Sequence, residues 1–278
     1  MTVDIYPVLE YTDDSKGFVS LQNVLILDRY YYILEAIGNF SRQSNVPVWM
    51  YMLSVQFKTY HAGSTIVHSE FPIPTEGILR YQALTAIAFG CQGLVFWTYA
   101  LQPNNMQTDS STGEKIPSEE FLLAPYNNDG TRSEIWYNCA AVIPGIKLFG
   151  KMLLGAKFIE AAHVYGPAYV RNPYPETQQL PASGIGCVLK ATATGPGIVI
   201  TRLEKGSEKY VAIVNHSPED YEDFTLTVSP GCRWTEYRMM DWSDNYLTET
   251  EHQRESQEKT VSRMLQPGSM MLIKFEWA

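Results

Sequence analysis

The sequence lacks the short motifs that mark many metal, redox and nucleotide-binding proteins. Its four cysteines form no CxxC pair and follow no regular spacing, which argues against a zinc ribbon and against a disulfide scaffold. Each cysteine is interpreted as a small buried hydrophobic residue, and the sequence leaves one disulfide open. No GxSxG motif, phosphate-binding loop or dinucleotide fingerprint is present. We therefore expect no cofactor.

Clusters of positive charge and long apolar runs are also missing. The formal net charge is −9, with 21 Lys and Arg against 30 Asp and Glu, and no basic run interrupts that balance. An acidic surface disfavours nucleic acids and anionic membranes, because both attract clustered cations. No apolar stretch approaches the roughly 18 residues of a membrane span. We expect neither nucleic acid nor membrane as a partner, and a neutral ligand such as a sugar fits this balance.

A signal peptide is absent from the start of the chain as well. Met1 leads directly into VDIYPVL, residues 3–9, which is typical of a strand rather than of a charged segment followed by an apolar one. A strand this close to the first residue suggests that something upstream has been lost or removed. The sequence alone leaves the location of the protein undetermined.

Aromatic residues, in contrast, are abundant. They make up 13% of the 278 residues, with 18 Tyr and 6 Trp. Tyr and Trp offer flat apolar faces with a polar tip, on which sugar rings stack well. The plainer alternative is that most of them fill the core and the interfaces between elements.

The first 165 residues alternate short apolar strands with helical patterns. The patterns predict strands at residues 3–9, 47–55 and 94–100, and helices at residues 28–43, at 75–90 and from residue 133. Thr75 can cap the second helix, and residues 101–132 form a long polar loop. Strands that alternate with helices predict a parallel sheet.

The pattern changes near residue 166. Pro and Gly become more frequent, and short alternating strands follow at residues 198–204, 209–217, 223–228, 233–240 and 269–277. Short strands separated by turn residues predict an antiparallel β-sandwich. The predicted fold class is therefore α/β plus all-β, with one domain at residues 1–165 and a second at residues 166–278.

The first domain is too short for a complete barrel. An eight-stranded (β/α)8 barrel takes about 250 residues, whereas this region supplies three βα units. We interpret it as a partial (β/α)8 (TIM) barrel, the last three βα units, whose opening strands are missing from the chain. The alternative is a small open α/β sheet. Either arrangement leaves strand edges exposed, and such edges predict self-association.

Three segments of this region resemble a known family. VDIYP, PVWMYMLSVQ and PTEGILRYQALTAIAFGCQGLVFWTY resemble the last strands of (β/α)8 glycoside hydrolases of the β-galactosidase-like clan, and bacterial glycosidase-like proteins in particular. The helix WYNCAAVIPGIKLFGKMLLG with a β-sandwich after it is similar to the end of such proteins. The resemblance implies that the three strands are the sixth, seventh and eighth of a barrel. It also implies a periplasmic or extracellular location, if the chain is a fragment of a longer secreted glycosidase.

The resemblance also implies a substrate-binding set. Active sites of barrels lie at the C-terminal ends of the strands. Trp97 and Tyr99 share a strand face by alternation, so both are expected at the sugar pocket. The full set of predicted substrate-binding residues is Asp4, Tyr6, Gln56, Trp97 and Tyr99.

The family nucleophile is missing from its expected position. In retaining members of the clan a Glu at the end of strand seven attacks the sugar, and a Glu after strand four is the acid/base. Gln56 stands at the first of these positions and cannot ionise, and strand four is not in this chain. Glu70, in the loop after strand seven, is the best remaining candidate for a catalytic carboxylate. Glu10, Asp13 and Asp14 are interpreted as a solvated surface cluster.

The same loop carries a weak metal signal. His61, His68 and Glu70 lie close together, but the sequence offers no convincing third ligand and no helical spacing. We therefore predict no metal site.

Two functions remain open. The first is a glycoside hydrolase, or a fragment of one, that acts on a neutral oligosaccharide or polysaccharide. The alternative is a catalytically silent relative that binds carbohydrate and lacks the strand-seven nucleophile. The missing carboxylate at Gln56 favours the second, and the barrel-plus-sandwich plan favours the first by family analogy only.

Overall fold

The computed structural model describes residues 1–13, 18–21, 24–27, 29–167, 179–242 and 246–277. In this part of the chain the fold is mixed α/β, mainly β-sheet with three helices. Asp14, of the predicted acidic cluster, and Asp28, the predicted first residue of a helix, lie outside the described residues.

Among the described residues, all three helices lie in the first part of the chain. That part contains β1 (Thr2–Asp4), β2 (Val8–Leu9), β3 (Tyr11–Thr12), β4 (Phe18–Leu21), β5 (Val24–Leu27), α1 (Tyr30–Ser44), β6 (Trp49–Leu53), β7 (Gln56–Tyr60), β8 (Val67–Phe71), α2 (Glu76–Ala88), β9 (Gly93–Trp97), β10 (Asn105–Thr108), β11 (Lys115–Leu123) and α3 (Glu134–Leu153). The described residues after it contain β12 (Lys157–Val164), β13 (Val188–Ala193), β14 (Ile198–Lys205), β15 (Glu208–Asn215), β16 (Glu222–Val228), β17 (Arg233–Arg238), β18 (Thr248–His252), β19 (Lys259–Leu265) and β20 (Met270–Glu276).

Three strands form a parallel sheet in the order β1-β6-β9. Helix α1 lies between β1 and β6, α2 lies between β6 and β9, and α3 follows β9. The alternation of strand and helix predicted from the sequence is therefore present. Strands β1 and β9 are the two edges of this sheet, and the described residues contain no closed barrel.

Two helix starts agree with the prediction. The Oγ1 of Thr75 accepts a hydrogen bond from the backbone N–H of Ile78 at 3.2 Å. At the start of α3, the Oγ of Ser133 accepts from the N–H of Ile135 at 3.1 Å. Side-chain caps of this kind satisfy backbone donors that have no partner within the helix.

The prediction of a polar loop at residues 101–132 is wrong. This segment contains β10 and β11, which join β7, β8 and β3 in a second, antiparallel sheet of order β10-β11-β7-β8-β3. The predicted strand at 47–55 ends early, at Leu53, and Gln56 opens β7 instead. The physical reason is long-range. Phe57 stacks on both Phe71 and Phe121, and these rings give β7, β8 and β11 a common apolar side.

The rest of the chain forms two antiparallel sheets. Their orders are β12-β14-β15-β20-β17-β18 and β13-β16-β19. The first strand of the larger sheet begins at Lys157, before the change of pattern at residue 166. Strands β12, β13, β18 and β19 were not predicted from the sequence.

The larger antiparallel sheet is buried on both sides. Ile200 and Ile213 pack toward the antiparallel sheet β13-β16-β19, against residues such as Leu226 of β16. Their neighbours Val199 and Val214 pack into the cluster formed with the helices. Alternate residues of a strand point to opposite faces, so these strands read as continuous apolar runs. Helix α2 therefore lies between β6 of the parallel sheet and β14 and β15 of the six-stranded sheet, and α1 packs against β12.

The four cysteines are buried and unpaired, in line with their interpretation as core residues. Within the described chain, no helix combines the length and the apolar character needed to cross a membrane.

Candidate functional site

The end of β6 is held by a buried glutamine of α2. The Oε1 of Gln82 accepts from the backbone N–H of Leu53 at 2.8 Å, and its Nε2 donates to the carbonyl of Leu53 at 3.2 Å. Ser54 links β6 to the end of β9, because its N–H donates to the carbonyl of Trp97 at 2.7 Å. Its Oγ donates to the carbonyl of Thr98 at 3.1 Å. The strand ends near the predicted pocket are thus fixed by neutral groups.

Gln82 was missed by the sequence analysis. It was read as one position of an apolar helix, ILRYQALTAIA, and its side chain is 1% exposed. A polar side chain at a buried helix position usually has hydrogen-bond partners. A glutamine within this apolar helix was the available signal.

Trp97 lies in a group of aromatic rings at the C-terminal ends of β1, β6 and β9. Its ring stacks on Tyr6 at a centroid distance of 5.5 Å, with 19° between the planes. Phe57 and Phe121 contact it at 5.8 and 5.7 Å with steeply inclined rings. Trp97 is partly buried, and the peptide bond to Thr98 is cis. We call these four rings the inner aromatic cluster.

Asp4 lies near Tyr6, one of the four rings of this cluster. Asp4 is exposed at the end of β1, next to Tyr51 in the neighbouring strand. Burial raises the pKa of Tyr6, and the nearby negative charge of Asp4 raises it further. The Tyr6 hydroxyl therefore stays protonated. Gln56 is partly buried and lies beside Leu123 of β11, at the same end of the fold.

Tyr99 lies apart from the inner aromatic cluster. Strand β9 ends at Trp97, so the alternation that would put both residues on one face does not continue to Tyr99. Tyr99 is 67% exposed, and its ring contacts Tyr126 at 4.8 Å. The interaction of the two hydroxyls raises the pKa of Tyr99 and lowers that of Tyr126. Close by, the guanidinium of Arg132 lies 3.9 Å from the ring centroid of Trp136.

Glu70 points away from the inner aromatic cluster. It is the strand neighbour of Phe71, whose ring contacts Phe57, so its side chain lies on the opposite face of the antiparallel sheet. There its Oε1 lies 3.0 Å from the Nζ of Lys58. On the far side of Lys58, Glu120 is the partner residue in β11.

A tyrosine joins this charged face. The hydroxyl of Tyr60 donates to Oε2 of Glu120 at 2.6 Å. That hydrogen bond, with a smaller effect of burial, raises the pKa of Tyr60 to about 12. Lys58, Tyr60, Glu70 and Glu120 form what we call the polar row.

The two histidines of the β7–β8 hairpin do not meet Glu70. Both contact the carboxylate of Asp13, which follows β3. The Nδ1 of His68 lies 2.6 Å from Oδ1, and the Nε2 of His61 contacts Oδ2. Desolvation acts to raise the pKa of Asp13, but the hydrogen bonds and charges of the two histidines outweigh it and lower the pKa. The sequence predicts a solvated surface position for Asp13, and it does not predict the contact with the two histidines.

Comparisons with known proteins give a limited result. No protein-family model matches the chain, and a search of curated proteins gives no match. The chain is similar to the crystal structure of a glucosidase from Croceicoccus marinus, with 9% identity and a TM-score of 0.32, over 88% of this chain and 57% of that one. It is also similar to an arabinofuranosidase, with 13% identity and a TM-score of 0.29, over 90% of this chain and 49% of that one.

The chain thus spans about half the length of these two structures. Both TM-scores and both identities are low, and neither similarity is evidence for an activity of this chain.

Proposed function

We propose that the chain is the C-terminal part of a (β/α)8 glycoside-hydrolase-like protein with a β-sandwich, and that it binds a neutral carbohydrate. Three βα units in succession support the barrel assignment. Two antiparallel sheets with a shared hydrophobic cluster support the sandwich. The carbohydrate lies at the C-terminal ends of β1, β6 and β9.

The observation that carries this proposal is the stacked pair of Trp97 and Tyr6 at those strand ends. A partly buried indole offers a flat face for a sugar ring. The carboxylate of Asp4 lies at the same end and can bind sugar hydroxyls. Gln56 is the strand neighbour of Phe57 in β7, so its amide lies on the face of the polar row instead. No carboxylate occurs at residues 53–56, the position of the nucleophile in the glycoside hydrolases that this chain resembles. The chain therefore binds sugar there without attacking it.

The open edges of the parallel sheet belong to the same proposal. Strands β1 and β9 each have one neighbour within the described chain. Unpaired strand edges pair readily with other strands. Further strands of the barrel would cover these edges, and without them a second copy of the chain takes their place.

Hydrolysis is a second candidate, and the polar row favours it. Glu70 and Glu120 lie on the same sheet face with one strand between them. Two strand spacings amount to about 9.5 Å, close to the ~6.5–9.5 Å between the carboxyl groups of inverting glycosidases. In this alternative Glu70 is catalytic, and the substrate is a neutral oligosaccharide or polysaccharide that binds outside the inner aromatic cluster.

Calorimetric titration tests the binding proposal. Neutral gluco-, galacto- and xylo-oligosaccharides are titrated into the native chain, Trp97→Ala and the control Trp277→Ala. Trp277 is 43% exposed and lies in the β-rich part. Loss of an aromatic anchor in a binding site costs about 2 kcal/mol or more, so Trp97→Ala should bind roughly thirtyfold more weakly. If folded Trp97→Ala binds with the same affinity as the native chain, the carbohydrate does not bind at Trp97.

A further inference from the structure

Asp13, His61 and His68 form a compact group of metal-ligand side chains. One ligand atom from each residue, two imidazole nitrogens and a carboxylate oxygen, lie within 4.8 Å of one another. The imidazole ring centroids are 4.9 Å apart. Ligand atoms around one tetrahedral Zn²⁺ are about 3.4 Å apart, as follows from Zn–N and Zn–O bonds near 2.1 Å. Small side-chain rotations bring the three atoms to that spacing.

Backbone pairing sets this grouping. Strand β3 pairs with β8, and the N–H of Asp13 donates to the carbonyl of His68 at 3.1 Å. On the other side of the hairpin, the N–H of His61 donates to the carbonyl of Ile66 at 3.0 Å. The three residues thus come from three neighbouring segments of one sheet. Ligands carried by a sheet are held more precisely than ligands on free loops.

A glutamine from another hairpin fixes the turn that carries His61. The Nε2 of Gln107, in β10, donates to the carbonyls of His61 at 2.9 Å and Ser64 at 3.2 Å. Its Oε1 accepts from the N–H of Gly63 at 2.8 Å. Ser110 adds a bond from its Oγ to the carbonyl of Gly63 at 2.9 Å. Supporting hydrogen bonds of this kind orient metal ligands.

We propose that Asp13, His61 and His68 bind a divalent transition-metal ion, with Zn²⁺ the best match. The two imidazoles are borderline donors that suit Zn²⁺, which also accepts a carboxylate oxygen. They disfavour Ca²⁺ and Mg²⁺, which prefer oxygen alone. The imidazole nitrogens already point at the carboxylate, and the ion takes the place of the protons in these contacts.

The site has room for a further ligand. Side chains of both histidines are 44% exposed and that of Asp13 is 31% exposed, so water reaches the group. Three protein ligands with a fourth position for water are typical of zinc sites that exchange ligands, whereas structural sites are closed by four protein side chains. The inferred ion therefore keeps one position open to solvent. This inference does not depend on the proposed carbohydrate binding.

Metal titration of the full chain tests the site. The protein is stripped with a chelator, and Zn²⁺ alone is titrated calorimetrically into the native chain, Asp13→Asn, His61→Gln and His68→Gln. Glu114→Gln is the matched control, because Glu114 is exposed on the β10–β11 turn outside the trio. We expect one equivalent of Zn²⁺ on the native chain and on the control. Each ligand variant should bind at least about tenfold more weakly, since even supporting partners of a metal ligand are worth 10–100-fold.

X-ray absorption at the zinc edge gives a readout that needs no variant. The expected spectrum of the loaded native chain shows two imidazoles, oxygen donors and no sulfur. Absence of stoichiometric Zn²⁺ binding, unchanged affinity in all three ligand variants, or a shell without imidazole would each overturn the site.

Discussion

Lys58 and Glu70 face each other across the β7–β8 hairpin, with 3.0 Å between the ammonium nitrogen and a carboxylate oxygen. Both side chains are about one quarter exposed, at 27% and 24%. Ion pairs in contact with water contribute about 0–1 kcal/mol. Glu70 can therefore be replaced with little effect on folding. A loss of activity in such a variant would then report on catalysis and not on stability.

Replacement of Glu70 decides whether the polar row hydrolyses glycosides. If the chain turns over a neutral oligosaccharide, Glu70→Gln should lower kcat by a factor of about 10²–10⁴, because a positioned acid or base contributes this much. Release of reducing sugar is the measurement, and Glu114→Gln is the control. Gln56→Ala should weaken binding more than turnover. Native turnover in folded Glu70→Gln would eliminate Glu70 as the catalytic carboxylate.

The buried glutamine at the end of β6 is expected to be costly to replace. Gln82→Leu leaves the N–H and the carbonyl of Leu53 without their side-chain partner. An unsatisfied buried group costs about 1–3 kcal/mol, so the loss of both partners should lower the free energy of unfolding by about 2–6 kcal/mol. Urea unfolding measures it. The control is Gln102→Leu, an exposed glutamine that donates to the carbonyl of Ala100. Similar small losses for both variants would contradict the role of Gln82.

Two buried histidines predict a loss of stability at acid pH. The Nδ1 of His163 lies 3.0 Å from the Nε2 of His216. Burial lowers the pKa of His216 to about 3, and burial together with the charge of His216 lowers the pKa of His163 well below its usual range. Both therefore stay neutral in the folded chain at pH 5. In the unfolded chain each takes up a proton near pH 6.5.

The unfolded state thus binds more protons than the folded state below about pH 6.5, and stability falls as the pH falls. Between pH 7.5 and 5 the contribution of His216 alone is about 2 kcal/mol. Urea unfolding at the two pH values should show this slope, and His216→Gln should reduce it. Equal slopes in the two proteins would show that His216 does not carry the effect.

The edges of the parallel sheet predict self-association. Because β1 and β9 each lack a second neighbour within the described chain, the apparent mass should rise with concentration. Light scattering over a hundredfold range of concentration is the measurement. A constant monomer mass over that range would mean that these edges are not available for pairing.

The sequence predicted those elements whose signals are local. The caps at Thr75 and Ser133 lie within three residues of the groups that they bind, so the helix starts could be placed. The second sheet of the first part could not be placed, because its apolar side is assembled from residues far apart in the chain. Phe57 stacks on Phe71 and on Phe121, and each alone reads as an isolated aromatic in a polar loop.

Some residues of the candidate site could be placed from the sequence, and others could not. Tyr6 and Trp97 could be assigned to one end of the sheet, because strand ends in a parallel sheet meet there. The place of Glu70 depended on which hairpin face it occupied, and the hairpin itself was not predicted. Asp13 reaches the two histidines through the pairing of β3 with β8, and β3 is a two-residue segment with no pattern of its own.

The six-stranded sheet is buried on both faces, and this couples the stability of the helical half to that of the β-rich half. Val199 and Val214 of this sheet belong to the same core cluster as Leu34 of α1 and Phe149 of α3. Separation of the chain near residue 165 would take β12 away from β14 and expose that apolar surface to water. We therefore expect the two halves to unfold in one transition, and a change in either half to alter the stability of the whole chain.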